Sequence, residues 1–197
     1  MTTRNPTRQE ALELLRQYIT SETLLNHAYA VEAVMRYMAR SRGQDEEKWG
    51  VVGLVHDIDY ERFPDQHCTK AREILEQKGW PGEYVRAVVS HGYGLCSDVQ
   101  PQTEMEKALY AIDELTGLVS ACALVRPSRS VMDLTPGSVK KKWKSSGFAA
   151  GVDRTVIARG AEMLGVPLDK LIEDTIMGMR EVAAAIGLAG LDAGGTP

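Results

Sequence analysis

The chain has four histidines, His27, His56, His67 and His91, and their neighbours indicate what they can do. His27 lies between Leu24 and Val31. His56 follows Trp49, Val52 and Gly53, His67 precedes Ala71, Ile74 and Leu75, and His91 follows Tyr84, Ala87 and Val88. If these segments are helical, the offsets put each imidazole on the apolar stripe that faces a core. Asp113 shares its face with Leu109, Ile112, Thr116, Gly117 and Ser120, and Asp57 directly follows His56. A carboxylate among small and apolar residues must be paired or metal-bound, because burying it alone costs too much. One histidine on an apolar stripe is ordinarily a satisfied core residue. All four on such stripes, with two inward carboxylates and no obvious cationic partner, point to divalent metal. Imidazole and carboxylate together suit iron, manganese, cobalt, nickel or zinc. Six such groups are too many for one tetrahedral zinc, and they could hold two metals with a carboxylate bridging them.

The elements that must position these groups read as helices. Thr7-x-x-Glu10 and Thr103-x-x-Glu106 are capping-box signatures. The first opens a helix over 8–19, and the second opens a long one that Pro127 stops after Arg126. Between them the pattern predicts helices over 22–40, 45–57, 66–78 and from Pro81 to His91, with Gly79 and Gly92 as stops. Shorter helices near 137–145 and 153–164 and a last one over 167–187 follow. Residues 188–197 read as a frayed tail. The run WGVVGLVHDIDY could be a strand by its apolar content, but no partner strand is in view, so it reads as helix. The expected fold is all-α, a bundle of about seven to nine helices in one domain. Its metal-binding core would span 22–120, with C-terminal helices over 136–187.

Composition narrows the partners. Apolar residues make up 44% and charged residues 25% of the 197, as in a globular rather than a disordered chain. No apolar run is long enough to span a membrane, and the N-terminus lacks the apolar stretch of a secretory signal. The three cysteines, Cys68, Cys96 and Cys122, form no CxxC and fit a reducing cytoplasm. A net charge of −4 argues against nucleic acid as the partner.

The order His27, His56-Asp57, Asp113 resembles the HD-domain superfamily of metal-dependent phosphohydrolases. LLNHAYAVEAVM looks like its first metal helix, and GLVHDIDY like the segment that names it. HCTKAREIL looks like the HxxxGAxIL element of the HDIG-type subset, VVSHGYG like the fifth-helix histidine, and YAIDELTGLV like the final aspartate helix. The resemblance implies the superfamily's all-α bundle and two metals. His27, His56, Asp57 and Asp113 would hold one, and His67 and His91 the other, with Asp57 bridging and helping to orient the nucleophile. Iron, manganese, cobalt, nickel, zinc and magnesium all remain open. Where many members read HDIGK, with the lysine near the substrate phosphate, Asp59 and Tyr60 stand in place of Gly and Lys. Together with the single histidine before Gly92, this speaks against a cyclic dinucleotide.

The activity implied is hydrolysis of a nucleotide or other small phosphate ester by a metal-activated hydroxide. A di-iron oxygenase with the same ligands and a non-catalytic HD module are the competing readings. Asn26 and Asp59 are candidate acceptors for the ligands' outer N–H groups. A phosphate also needs cations. Lys70 is three residues after His67, and 126–154 carries seven cations against Asp133 and Asp153. Within that segment Arg126 and Arg129 have the shortest tether to Asp113 and are the expected phosphate anchors. The competing reading is a solvated basic face.

Overall fold

The computed structural model describes residues 4–145 and 147–190. Among them are nine α-helices: α1 (Arg8–Tyr18), α2 (Glu22–Ser41), α3 (Glu46–Val55), α4 (Thr69–Gln77), α5 (Gly82–Ser90), α6 (Glu104–Leu124), α7 (Pro136–Trp143), α8 (Arg154–Leu164) and α9 (Leu168–Glu181). The expected all-α class is the observed one. Both capping boxes form: Thr7 and Thr103 accept from the backbone N–H of Glu10 and Glu106, whose carboxylates reach back to the cap. None of the described helices is long and apolar enough to cross a membrane.

Helices α2 and α6 carry the core. Val31, Val34, Met35 and Met38 of α2 are buried, as are Leu109, Ile112, Leu115 and Val119 of α6. Helix α3 is buried from Trp49 through Val55. That explains why its sequence shows no amphipathic stripe and resembled a strand: a helix covered on all sides has no polar face to reveal its period. Glycine lets two helix pairs close up. A Cβ at Gly160 would sit 2.5 Å from Ala111 Cα, so α8 lies directly on α6. One at Gly178 would sit 2.6 Å from Val34 Cα, where α9 meets α2. The two helices that carry His27 and Asp113 are thus braced from behind by the C-terminal helices.

Three boundaries differ from expectation. Helix α4 begins at Thr69, after a 3-10 turn at Pro64–Gln66, so His67 is in a turn and not on a helical face. Helix α3 ends at Val55, leaving His56 as its C-cap and Asp57 just beyond. The last helix stops at Glu181, and the chain after it does not fray at once. Leu188 is buried and its carbonyl accepts from Val131 N at 2.9 Å, while Ser130 Oγ donates to the Ala189 carbonyl at 2.9 Å. The remainder of the expected tail, 191–197, lies outside the described residues.

Candidate metal centre

Five separate pieces of chain supply the six groups. His27 projects from α2 and Asp113 from the middle of α6, one across from the other, with His27 Nε2 2.9 Å from Asp113 Oδ1. His56 and Asp57 come from the turn that ends α3. His67 comes from the turn before α4, and His91 caps α5. His27 and Asp113 meet from within two helices, and the chain reversals at helix ends bring the other four groups to them.

The six groups fall into two halves that share Asp57. Its Oδ2 lies 3.3 Å from His56 Nε2 and 3.8 Å from His27 Nε2, and Asp113 Oδ1 is 3.3 Å from the same His56 atom. Its Oδ1 lies 3.4 Å from His91 Nε2 and 3.5 Å from His67 Nε2, which are themselves 3.1 Å apart. Each carboxylate oxygen therefore addresses a different pair of imidazoles.

Three of the rings are held by their outer nitrogens. His56 Nδ1 is 2.8 Å from the Gly53 carbonyl, His91 Nδ1 bonds the Val88 carbonyl, and His67 Nδ1 is 2.7 Å from Asp59 Oδ1. Carbonyls and carboxylates only accept, so each Nδ1 carries a proton, and each Nε2, when unprotonated, turns a lone pair inward. Of the two expected outer acceptors, Asp59 fills the role. It is fully buried, and its second oxygen accepts from Ala71 N at 2.8 Å. Among the described residues Asn26 makes no hydrogen bond to a histidine.

His56 tests whether a cation fits. Its Nε2 is buried and has no hydrogen-bond partner, although two carboxylate oxygens lie 3.3 Å away. A lone pair facing two anionic oxygens is repulsive unless a proton or a cation lies between them. The electrostatics agree. Burial pushes the His56 imidazole down, yet the Asp57 and Asp113 carboxylates outweigh it and hold its pKa well above the ordinary value. Burial likewise pushes Asp57 and Asp113 up. His56 with His91 lowers Asp57 well below the usual carboxylate range, and His27 with His56 lowers Asp113. The centre selects for positive charge, and its nitrogen and oxygen donors suit a divalent metal.

Residues 24–118 match the family model of the HD domain. Over that segment the chain is similar to HD domains. The matched stretch contains all six groups and ends within α6. A comparison with curated proteins returns no match. HD domains are in general metal-dependent hydrolases, and the His/Asp groups brought together here could hold a metal ion.

Two of the expected phosphate anchors have partners of their own. Lys70 Nζ donates to Glu73 Oε2 at 2.6 Å and lies over the Phe63 ring. Arg126 grips Asp133 with two guanidinium nitrogens, at 3.1 and 2.8 Å, and Arg129 is exposed in a left-handed turn at φ 48°. Eleven residues of α6 separate Asp113 from the helix end, about 16 Å along the axis. Much of the basic segment is also engaged. Lys140 pairs with Asp169, and Arg154 donates to the carbonyls of Trp143 and Phe148. Tyr60 is an aromatic neighbour of His67. It is 45% exposed and sets its ring edge-on to His67 at 5.2 Å between centroids.

One contact beside the centre has no counterpart in sequence spacing. Cys68 Sγ, next to His67, lies 3.1 Å from Cys96 Sγ. Only the adjacency of Cys68 to a ligand candidate hinted at it.

Proposed function

We propose that the chain is a metal-dependent phosphohydrolase acting on a nucleotide or other small phosphate ester, with the whole chain serving as one domain around the HD centre. The observation that carries this reading is the division of Asp57, one oxygen toward His27, His56 and Asp113 and the other toward His67 and His91. His27, His56, Asp57 and Asp113 would hold one divalent metal, and His67, His91 and the shared Asp57 a second. Bound there, two such cations would activate a water and neutralise charge on the phosphoryl oxygens.

The chain's own residues contribute position and protons. Gly53, Val88 and Asp59 fix three imidazoles in one tautomer, so no ring has to reorient during turnover. Asp57 and Asp113 are held ionised, which keeps their oxygens available as donors and as acceptors for a water proton. Tyr60 stands where many HD domains have a lysine, and its phenol can donate to a phosphate oxygen without adding charge. Much of the phosphate charge would then fall to the metals rather than to Lys70, Arg126 or Arg129.

The test is to assay protein stripped and reloaded with manganese, cobalt, zinc or iron against p-nitrophenyl phosphate and a panel of nucleotides, with Asp57→Ala as the control. Phosphate release that depends on metal and on Asp57 supports the reading. Loaded protein that releases no phosphate from any of them, or that consumes oxygen instead, overturns it.

A further inference from the structure

Cys68 and Cys96 are 28 residues apart, and the fold brings their sulfurs to 3.1 Å. The approach is built in at two backbone positions. Cys68 has a left-handed φ of 65°, a conformation in which a non-glycine residue is strained. Gly92 lies beneath both sulfurs, and a Cβ there would overlap Cys68 Sγ and Cys96 Sγ together. The missing side chain at Gly92 leaves room for the pair.

The pair is also reachable. Cys68 is buried and Cys96 is exposed. Both line an open cavity of about 780 Å³, together with Thr69, Arg72, Tyr93 and Ser97. The third cysteine, Cys122, is buried in α6 and takes no part.

We propose that Cys68 and Cys96 form a reversible disulfide with hydrogen peroxide as the oxidant, a modification site coupled to the His67–His91 pair. The exposed Cys96 sulfur attacks the peroxide. An S–O bond forms, the O–O bond breaks, and one water leaves with the thiol proton. Cys68 sulfur then attacks Cys96 sulfur. The S–S bond forms, the S–O bond breaks, and the hydroxyl leaves as a second water with the Cys68 proton. One peroxide is reduced and two thiols are oxidised. The sulfurs must close from 3.1 Å to about 2.05 Å, and whatever part of that closure rotation about the two Cα–Cβ bonds does not supply displaces the turn carrying His67 and the loop after His91. Metal–ligand distances stay within about 0.2 Å of their usual values, so such a displacement strains a ligand at His67. Oxidation therefore weakens the His67–His91 half and leaves the His27–Asp113 half in place. This consequence rests on the metal reading above; the disulfide does not.

The experiment treats the metal-loaded protein with hydrogen peroxide, maps peptides without reduction, and measures retained metal against a chelator before and after thiol reduction. The expected map contains one cross-linked peptide joining Cys68 to Cys96. It is present in Cys122→Ser, absent in Cys96→Ser, and lost on reduction. Both thiols still free to alkylate, or Cys96 carried to its sulfinic acid with Cys68 unmodified, would overturn the proposal whatever the protein binds. For the consequence, affinity for one of two metal equivalents should fall by about tenfold to a hundredfold on oxidation, return on reduction, and stay unchanged in peroxide-treated Cys96→Ser. Equal retention in oxidised and reduced wild type overturns the coupling. Protein that binds no metal in either state, yet gives the cross-linked peptide, sinks the metal reading alone.

Discussion

Asp59 fastens His67 to the start of α4: one carboxylate oxygen is 2.7 Å from His67 Nδ1, and the other accepts from Ala71 N at 2.8 Å. A glycine at this position could do neither. The burial of the carboxylate is offset by two charge-assisted hydrogen bonds. Asp59→Ala should therefore reduce metal affinity in the His67–His91 half by about tenfold to a hundredfold, as loss of an outer partner typically does. The half built on His27 and Asp113 should hold. Isothermal titration with zinc would read this directly, and equal weakening of both halves would contradict it.

Asp57 is the group common to both halves, with an oxygen within 3.5 Å of His67 and of His91 and another 3.3 Å from His56. Asp57→Ala should lose both metals while its helical circular dichroism persists, because the residue sits in a turn and supports no helix of its own. His67→Ala should lose one equivalent only. Plasma mass spectrometry of the purified variants measures the ratio, and an Asp57→Ala protein with the metal content of wild type would exclude the shared role.

Gly160 and Gly178 mark the places where the C-terminal helices press on the two helices that bear His27 and Asp113. A methyl at Gly160 must occupy space 2.5 Å from Ala111 Cα, a backbone atom that cannot swing aside. Gly160→Ala should destabilise the fold by about 1–3 kcal/mol, the usual cost of overpacking, despite the better helix propensity of alanine. Denaturant unfolding checks this. Gly147→Ala, where an added Cβ meets nothing within 4 Å, is the matched control.

The helices and five of the six inward groups were legible because helix periodicity and capping are local. His27 and Asp113 sit on helical stripes, and His56 and His91 close helices that their glycine and apolar neighbours already outlined. His67 was placed in the right cluster for the wrong local reason. Its offsets to Ala71, Ile74 and Leu75 suit a helix, but the backbone turns left-handed at Cys68, which no stripe can signal. The proximity of Cys68 to Cys96 and the pairing of Arg126 with Asp133 are tertiary facts. A count of residues along the chain measures tether length, not direction, and α6 carries Arg126 away from Asp113. The strand-like look of α3 came from complete burial, which erases the pattern that sequence reading depends on.

The charge state of the centre makes metal binding depend on pH in a definite direction. In metal-free protein, burial lowers the His56 and His67 pKa values. The facing carboxylates, Asp57 and Asp113 for His56 and Asp59 with Asp57 for His67, more than reverse that, and both imidazoles end up raised. A raised histidine contributes stability that is fully present below its unfolded pKa of about 6.5 and is lost as pH rises through the folded value. The lowered Asp57 and Asp113 contribute stability above their unfolded pKa of about 3.9, which is lost only at strongly acid pH. Metal-free protein should therefore draw most from this cluster between about pH 4 and pH 6.5 and less at higher pH. A divalent metal must displace the His56 and His67 protons, so its apparent affinity should climb over the same range in which the ion pairs fade. The increase in melting temperature on adding manganese to chelator-stripped protein should be larger at about pH 8 than at about pH 6. Differential scanning fluorimetry at the two pH values measures it. His56→Ala, which has neither the proton nor the ligand, should lose most of the pH dependence. An equal increase at both pH values in wild type would mean that protons and metal do not compete for these imidazoles.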